Sequence, residues 1–271
     1  MMSPRENGVA ESTKTLSQLG DPMVNPEDQM DWLDIELFAH TEPPAVPWIV
    51  ESFCAAGQVT MLVGDPGVGK SWVALGAASA AALGTPFLGM HTQPRSSVLI
   101  DAENGPMEMH RRLKALKFFE SIKVADIQPG FDFEHSLDYL ADACAPAHCG
   151  ILILDSMRTI WGGDENESKA VTNCLTQLQQ LARTANIAIV VIHHTNKMGT
   201  FRGSGALQAV PETMVTCGRL KRDKLTNRFY MRWDKLRSMP RPATKWALLE
   251  KGIVVPAHKP APDELWPVDL G

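Results

Sequence analysis

No C-x-x-C pair occurs in the 271 residues, and the five cysteines (Cys54, Cys144, Cys149, Cys174, Cys217) are odd in number. That pattern argues against a disulfide framework and favours reduced thiols in a cytosolic setting. Cys144, His148 and Cys149 lie near one another in sequence, but no second cluster of ligands exists to complete a zinc site with them. Long apolar runs are also missing. The best candidate, WVALGAASAAALG (72–84), is alanine-rich, follows Lys70 and falls short of the roughly 18–20 residues that span a bilayer. The first residues, MMSPRENGVAESTK, have neither the basic start nor the apolar core of a signal peptide. A cytoplasmic protein without a membrane span is the expectation. No internal repeat is found.

What is present is ordinary for a globular chain, 44% hydrophobic and 21% charged. Its length suits one domain of about 200–250 residues plus tails, or two small domains. The net charge of −5 is unevenly spread. Residues 1–51 hold ten acidic and two basic side chains, whereas 197–251 hold 13 basic and four acidic ones. A local excess of +9 suits a phosphate-rich partner, and it equally suits a solvated basic face.

Residues 1–41 are acidic and poor in apolar periodicity, and are expected to form a mostly disordered tail. Within it, MDWLDIELFAH (30–40) carries Trp32, Leu33, Ile35, Leu37 and Phe38, enough for a short docking helix. EPPAVPW (42–48) reads as a stiff, extended connection. Residues 42–255 form the expected domain, in which apolar runs alternate with helical patterns as in an α/β fold with a mostly parallel sheet flanked by helices. TMVTCGRL (213–220) and NRFYMRWD (227–234) predict a C-terminal antiparallel hairpin at the sheet's edge. Residues 256–271 read as a second tail.

The strongest motif is GDPGVGKS (64–71), between the apolar strand QVTMLV (58–63) and a helix opening at Trp72. It fits G-x-x-x-x-G-K-[ST] in the strand–loop–helix context that gives the pattern meaning. The backbone from Gly64 through Asp65, Pro66, Gly67, Val68 and Gly69 can curl so that N–H groups converge on phosphate oxygens at a helix N-terminus. Lys70 can reach the β- and γ-phosphates, and Ser71 can offer a hydroxyl to Mg²⁺. A nucleoside triphosphate, ATP, with Mg²⁺ is the expected ligand. GILILD (150–155) is an apolar run ending in acid, so Asp155 should emerge at the carboxyl end of the sheet as the second magnesium ligand.

Two further strand ends carry chemistry. SVLIDAEN (97–104) ends in Asp101 and Glu103, either of which could orient an attacking water, and alternation places both on one face. A capped helix start at Asn104 is the structural alternative. VVIHHTNK (190–197) places His193 and His194 side by side, and neighbours on a strand point to opposite faces, so the pair cannot easily hold one ion. In NKMGTFRGSG (196–205), Lys197 and Arg202 flank Phe201 on a glycine-containing segment able to follow a single-stranded backbone and stack bases. An ordinary surface loop, or an Arg202 that touches nucleotide, would read the same.

The phosphate loop, DAEN, LILDS, HHTNK and RGSGAL (202–207), in this order and spacing, resemble the RecA-like P-loop NTPase core of the RepA-type plasmid and phage helicases, kin to the DnaB-type helicases and to RecA. The resemblance spans residues 45–255. It implies that Glu103, rather than Asp101, is the catalytic carboxylate, and that His194 touches the γ-phosphate and reports hydrolysis to the loop that follows. It implies that Lys235 and Arg237 reach the neighbouring subunit's γ-phosphate. It implies a homo-oligomer, a hexameric ring acting on single-stranded DNA. Where DnaB-type helicases carry an additional N-terminal domain, which RepA-type proteins manage without, an acidic tail is the expectation here. Two other functions share such a core: a filament-forming recombination or repair ATPase, and a nucleotide-dependent switch that binds a protein partner.

Overall fold

The computed structural model describes residues 34–116, 121–127, 131–144, 149–195 and 205–265. They fall into two units divided between Ala45 and Val46. In the first, helix α1 (Ile35–His40) covers the second half of the expected docking segment, with Ile35 exposed. In the second, β1 (Trp48–Val50) and β2 (Cys54–Ala55) form a small antiparallel pair. The remaining strands make one nine-stranded sheet. They are β3 (Val59–Gly64), β4 (Ser96–Asp101), β5 (Ile122–Asp126), β6 (Cys149–Asp155), β7 (Ala188–His194), β8 (Thr213–Gly218), β9 (Arg228–Leu236), β10 (Lys245–Glu250) and β11 (Ile253–Ala257). Their order is β11-β10-β9-β8-β3-β7-β6-β4-β5. The six strands from β5 to β8 are parallel, and β9, β10 and β11 are antiparallel.

The central strands are apolar at nearly every position because helices cover both faces. Alternate residues feed two separate cores. Leu62, Leu99, Ile153, Val190 and Ile192 pack toward α2 (Lys70–Leu83) and Met109 of α3 (Pro106–Ala115). Met61, Val63, Val98, Leu152, Leu154 and Val191 face α4 (Leu137–Cys144), α5 (Met157–Trp161), α6 (Ser168–Ala185) and α7 (Ala206–Ala209). Val171, Cys174, Leu175, Leu178, Leu181 and Ala182 form the buried side of α6. No helix among the described residues is long and apolar enough to cross a membrane.

The antiparallel hairpin of β8 and β9 forms as expected, but it is not the edge of the sheet. β8 pairs with β3 in parallel, and a second hairpin, β10–β11, extends the sheet beyond β9. Lys251 (φ 50°) and Gly252 (φ 83°) turn it, with Glu250 opposite Ile253. Two successive left-handed residues in a two-residue connection match the twist of an antiparallel pair. The β-branched and aromatic residues of TKWALLE and IVVP suit these two strands. The boundary expected at 255 falls inside β11, and the described residues beyond it return to the domain through Glu264. Glu264 meets the buried Arg228 guanidinium at 3.2 Å, which also grips Asp223 through two bonds of 2.7 and 2.8 Å.

Candidate functional site

β3 ends at Gly64, where φ is 155° and a Cβ would stand 2.3 Å from the Cys217 carbonyl oxygen, so only glycine lets the chain leave the strand here. The loop runs outward through Asp65, Pro66 and Gly67, all exposed, and back through buried Val68 and Gly69 into α2. The Trp72 ring lies beneath the Arg112 guanidinium, 5.6 Å from its centroid.

Lys70 is buried, 4% exposed, and its ammonium donates to the carbonyls of Gly64 (2.9 Å) and Asp65 (3.0 Å). Its third bond goes to His194 Nδ1 at 3.0 Å. An ammonium can only donate, so Nδ1 accepts and the ring proton sits on Nε2. That nitrogen donates to Glu103, 2.8 Å from Oε1 and 3.1 Å from Oε2. Ser156 donates to Oε1 from the other side. The His194 hydrogen bond is the main reason the Glu103 carboxyl is held down to about 2, with Ser156 assisting against partial burial. Burial lowers the Lys70 ammonium, and the charges of Cys217, Asp155, Glu103 and Asp65 oppose the shift. β3 and β7 pair Gly64 with His194, which is why a loop and a strand end so distant in sequence share one proton chain.

Asp101 and Glu103 part company. The strand stops at Asp101, whose Oδ1 accepts from the backbone N–H groups of Glu103 and Asn104, both at 2.9 Å. Asp101 is 1% exposed and serves this turn, and the turn swings Glu103 toward His194. The two carboxylates therefore do not share a face. Nor does Asn104 cap the helix: Gly105 precedes α3, which opens on Pro106.

His193 points to the opposite face from His194, 1% exposed, with Nδ1 3.6 Å from Glu165 Oε1. Among the described residues no group of three or more His, Cys, Asp or Glu side chains could cage a metal ion. Magnesium, however, needs few protein ligands when phosphate oxygens and water complete its shell. Asp155 suits that need. It is 2% exposed, its Oδ1 has no hydrogen-bond partner, and burial pushes its carboxyl up to about 6 while a bond from Ser71 pulls it back. A buried carboxylate oxygen without a donor, beside a hydroxyl, is chemistry that fits a hard cation.

Lys235 and Arg237 lie at the other end of the sheet. Thr213 pairs with Thr60 on one side and Leu236 on the other, whereas Gly64 pairs with Cys217. Four strand residues, roughly 13 Å, separate those two levels. Both cations project to one side, and both bind the last carbonyls of α7: Lys235 to Gln208 (2.8 Å) and Ala209 (2.6 Å), Arg237 to Ala209 (2.6 Å). Lys197 and Arg202 lie outside the described residues.

Two arginines escaped the sequence reading. Arg112, one turn before the end of α3, donates to Glu108 and to Asn104 (2.9 Å), keeps a buried NH1 without a hydrogen-bond partner, and lowers Asp155 through its charge. Arg219, just past β8, reaches the Val68 carbonyl of the phosphate loop at 3.4 Å.

Comparison with known proteins bears on the family and the fold. A family model described as an AAA domain matches residues 24–200, more than half of the chain. DNA repair protein RadA of Streptococcus pneumoniae (strain ATCC BAA-255 / R6) is 28% identical over 167 residues, covering 59% of this chain and 35% of the relative. The protein of the same name from Chlamydia pneumoniae is 27% identical over 163 residues, covering 59% and 33%. That of Bacillus subtilis (strain 168) is 24% identical over 164 residues, covering 59% and 32%. The chain thus spans about a third of the length of the curated relatives it matches. With its parallel sheet, phosphate loop and C-terminal antiparallel strands, the chain belongs to the AAA domain family, as a nucleotide-binding P-loop ATPase of RecA-like fold.

Proposed function

We propose that this chain hydrolyses ATP and couples the reaction to work on single-stranded DNA, as a ring-forming homo-oligomer of the RepA-like helicase type. The observation that carries the reading is the chain of contacts Lys70–His194–Glu103. It joins the group that would meet the γ-phosphate to the carboxylate that would activate water. It does so through a residue at the mouth of the segment bearing Lys197 and Arg202. Arrival of phosphate would draw Lys70 off His194, so nucleotide state and the position of β7's end would be linked.

In hydrolysis, water oxygen attacks the γ-phosphorus and its proton passes to the Glu103 carboxylate. The bond from the γ-phosphorus to the β–γ bridging oxygen breaks, and the electron pair leaves with ADP. Ser71 and Asp155 would hold Mg²⁺, which supplies positive charge to the β- and γ-oxygens. The backbone of residues 64–72 would cradle the phosphates. Lys197 and Arg202, with Phe201 between them, would contact the DNA backbone and bases.

A second reading has its own support. The curated relatives are DNA repair proteins by name, which favours a repair or recombination ATPase over a replicative helicase. Both readings place DNA as the partner and share the hydrolytic chemistry.

Glu103→Gln tests that chemistry. The amide keeps the shape but cannot take a proton. ATP binding should persist while hydrolysis slows at least tenfold, a conservative share of what a general base contributes, about 10²–10⁴. Asp101→Asn, which keeps an acceptor for the turn, should stay close to wild type. Hydrolysis by Glu103→Gln within threefold of wild type, with Asp101→Asn crippled, would show that the wrong carboxylate has been chosen.

A further inference from the structure

We propose that Ser156 is a positioning residue for hydrolysis: its buried hydroxyl fixes the Glu103 carboxylate in the direction from which water must be activated. The inference rests on Glu103 as the base of the proposed reaction.

Ser156 follows Asp155 at the end of β6 and occupies the residue before α5, where a serine ordinarily turns its oxygen back to accept a backbone N–H of the first turn. Here it does not. The hydroxyl makes no capping bond, and the N–H groups of Thr159 and Ile160 are accepted by the Ser156 backbone carbonyl, each at 3.1 Å. The hydroxyl instead donates to Glu103 Oε1 at 2.5 Å, with Thr159 Oγ1 3.5 Å away on its other side. A side chain suited to helix capping is thus directed into the site, across 53 residues of sequence.

The two donors to Glu103 are unequal in what nucleotide would do to them. His194 is tied to Lys70, and both would turn toward the γ-phosphate. Ser156 is fully buried, 0% exposed, and its hydroxyl sits between Glu103 Oε1 and Thr159 Oγ1 rather than on Lys70. When His194 leaves, Ser156 is the donor that remains. By holding Oε1 it leaves Oε2 to accept the proton of water, and it limits the carboxylate's rotation. Glu103 lies in a turn after β4 rather than within a strand, so it depends on such a contact for its aim.

The test uses the full chain with four variants: Ser156→Ala, Ser156→Thr, Glu103→Gln and the double variant Ser156→Ala/Glu103→Gln. Ser156→Ala should keep its melting temperature and a KM for ATP within twofold of wild type while kcat falls about tenfold, short of the roughly 10²-fold that a 1 Å misplacement can cost. Ser156→Thr, which restores the hydroxyl, should recover most of that loss. Because Ser156 acts through Glu103, the double variant should be no more than about twofold slower than Glu103→Gln alone. Should the alanine variant melt lower, Ser156→Cys, close in volume but a weak donor, must still show the kcat loss at wild-type stability. A kcat within twofold of wild type for Ser156→Ala overturns the inference while leaving a crippled Glu103→Gln, and so the base assignment, intact. Losses that multiply in the double variant also overturn it. A normal Glu103→Gln enzyme overturns both.

Discussion

Lys70→Ala should abolish ATP turnover and leave the domain folded. The Lys70 ammonium reaches back to the start of the phosphate loop, where the consecutive carbonyls of Gly64 and Asp65 hold it. Removing it takes away the charge meant for the β- and γ-phosphates. It also removes the donor that sets the His194 tautomer, so Glu103 loses a defined partner as well. Loss of a single preorganised donor to developing negative charge is worth about 10²–10³ in rate, and here two effects coincide. The fold should survive, because α2 is anchored by Val73, Ala74, Leu75, Ala77, Ala78 and Ala81 rather than by Lys70. Steady-state phosphate release and far-ultraviolet circular dichroism check both halves. Turnover within threefold of wild type would refute the assignment of the loop.

Arg237→Ala should bind ATP normally and hydrolyse it poorly. The register explains why: Lys235 and Arg237 stand level with the start of β3, away from the loop at its end, so they cannot serve the nucleotide of their own chain. A neighbour's nucleotide is the target the resemblance implies, and a cationic finger of that kind contributes about 10³–10⁵ in rate. To reach it, both side chains would leave the carbonyls of Gln208 and Ala209. A mixture of Arg237→Ala and Lys70→Ala proteins should then recover activity, because an intact site forms where the loop of the first meets the finger of the second. No recovery in a mixture shown to co-assemble would count against the role in trans, and a specific activity independent of concentration in monomeric protein would eliminate it.

How far residues can be read without coordinates depended on how local their partners are. The phosphate loop and Asp155 were legible because strand, turn and helix lie within a dozen residues and each position has its own steric or charge requirement. The opposite directions of His193 and His194 followed from strand alternation alone. Glu103 was chosen by resemblance, since alternation fails one residue after Asp101, where a side chain bonding its own backbone ends the strand. Arg112 and Arg219 were missed because a cation in an amphipathic helix or a basic turn looks like solvent-facing charge until the packing brings it to Asn104 or Val68. Ser156 was hidden for the opposite reason. A serine before a helix is so ordinary a cap that nothing in its spelling suggests a hydroxyl aimed elsewhere. The edge of the sheet was misplaced because the pairing of β10 with β9 is set by the return of the chain past Arg237.

The central claim is that ATP hydrolysis at this site is coupled to DNA. It is tested most directly by the ATPase rate of the full chain titrated with a single-stranded oligonucleotide at several salt concentrations. Coupling predicts a saturable rise in kcat, with an apparent DNA affinity that weakens as salt increases, because each phosphate contact releases counterion. An ATPase rate indifferent to single-stranded DNA at every salt concentration, in protein shown to hydrolyse ATP through Lys70, would contradict the account and leave a nucleotide switch for a protein partner in its place.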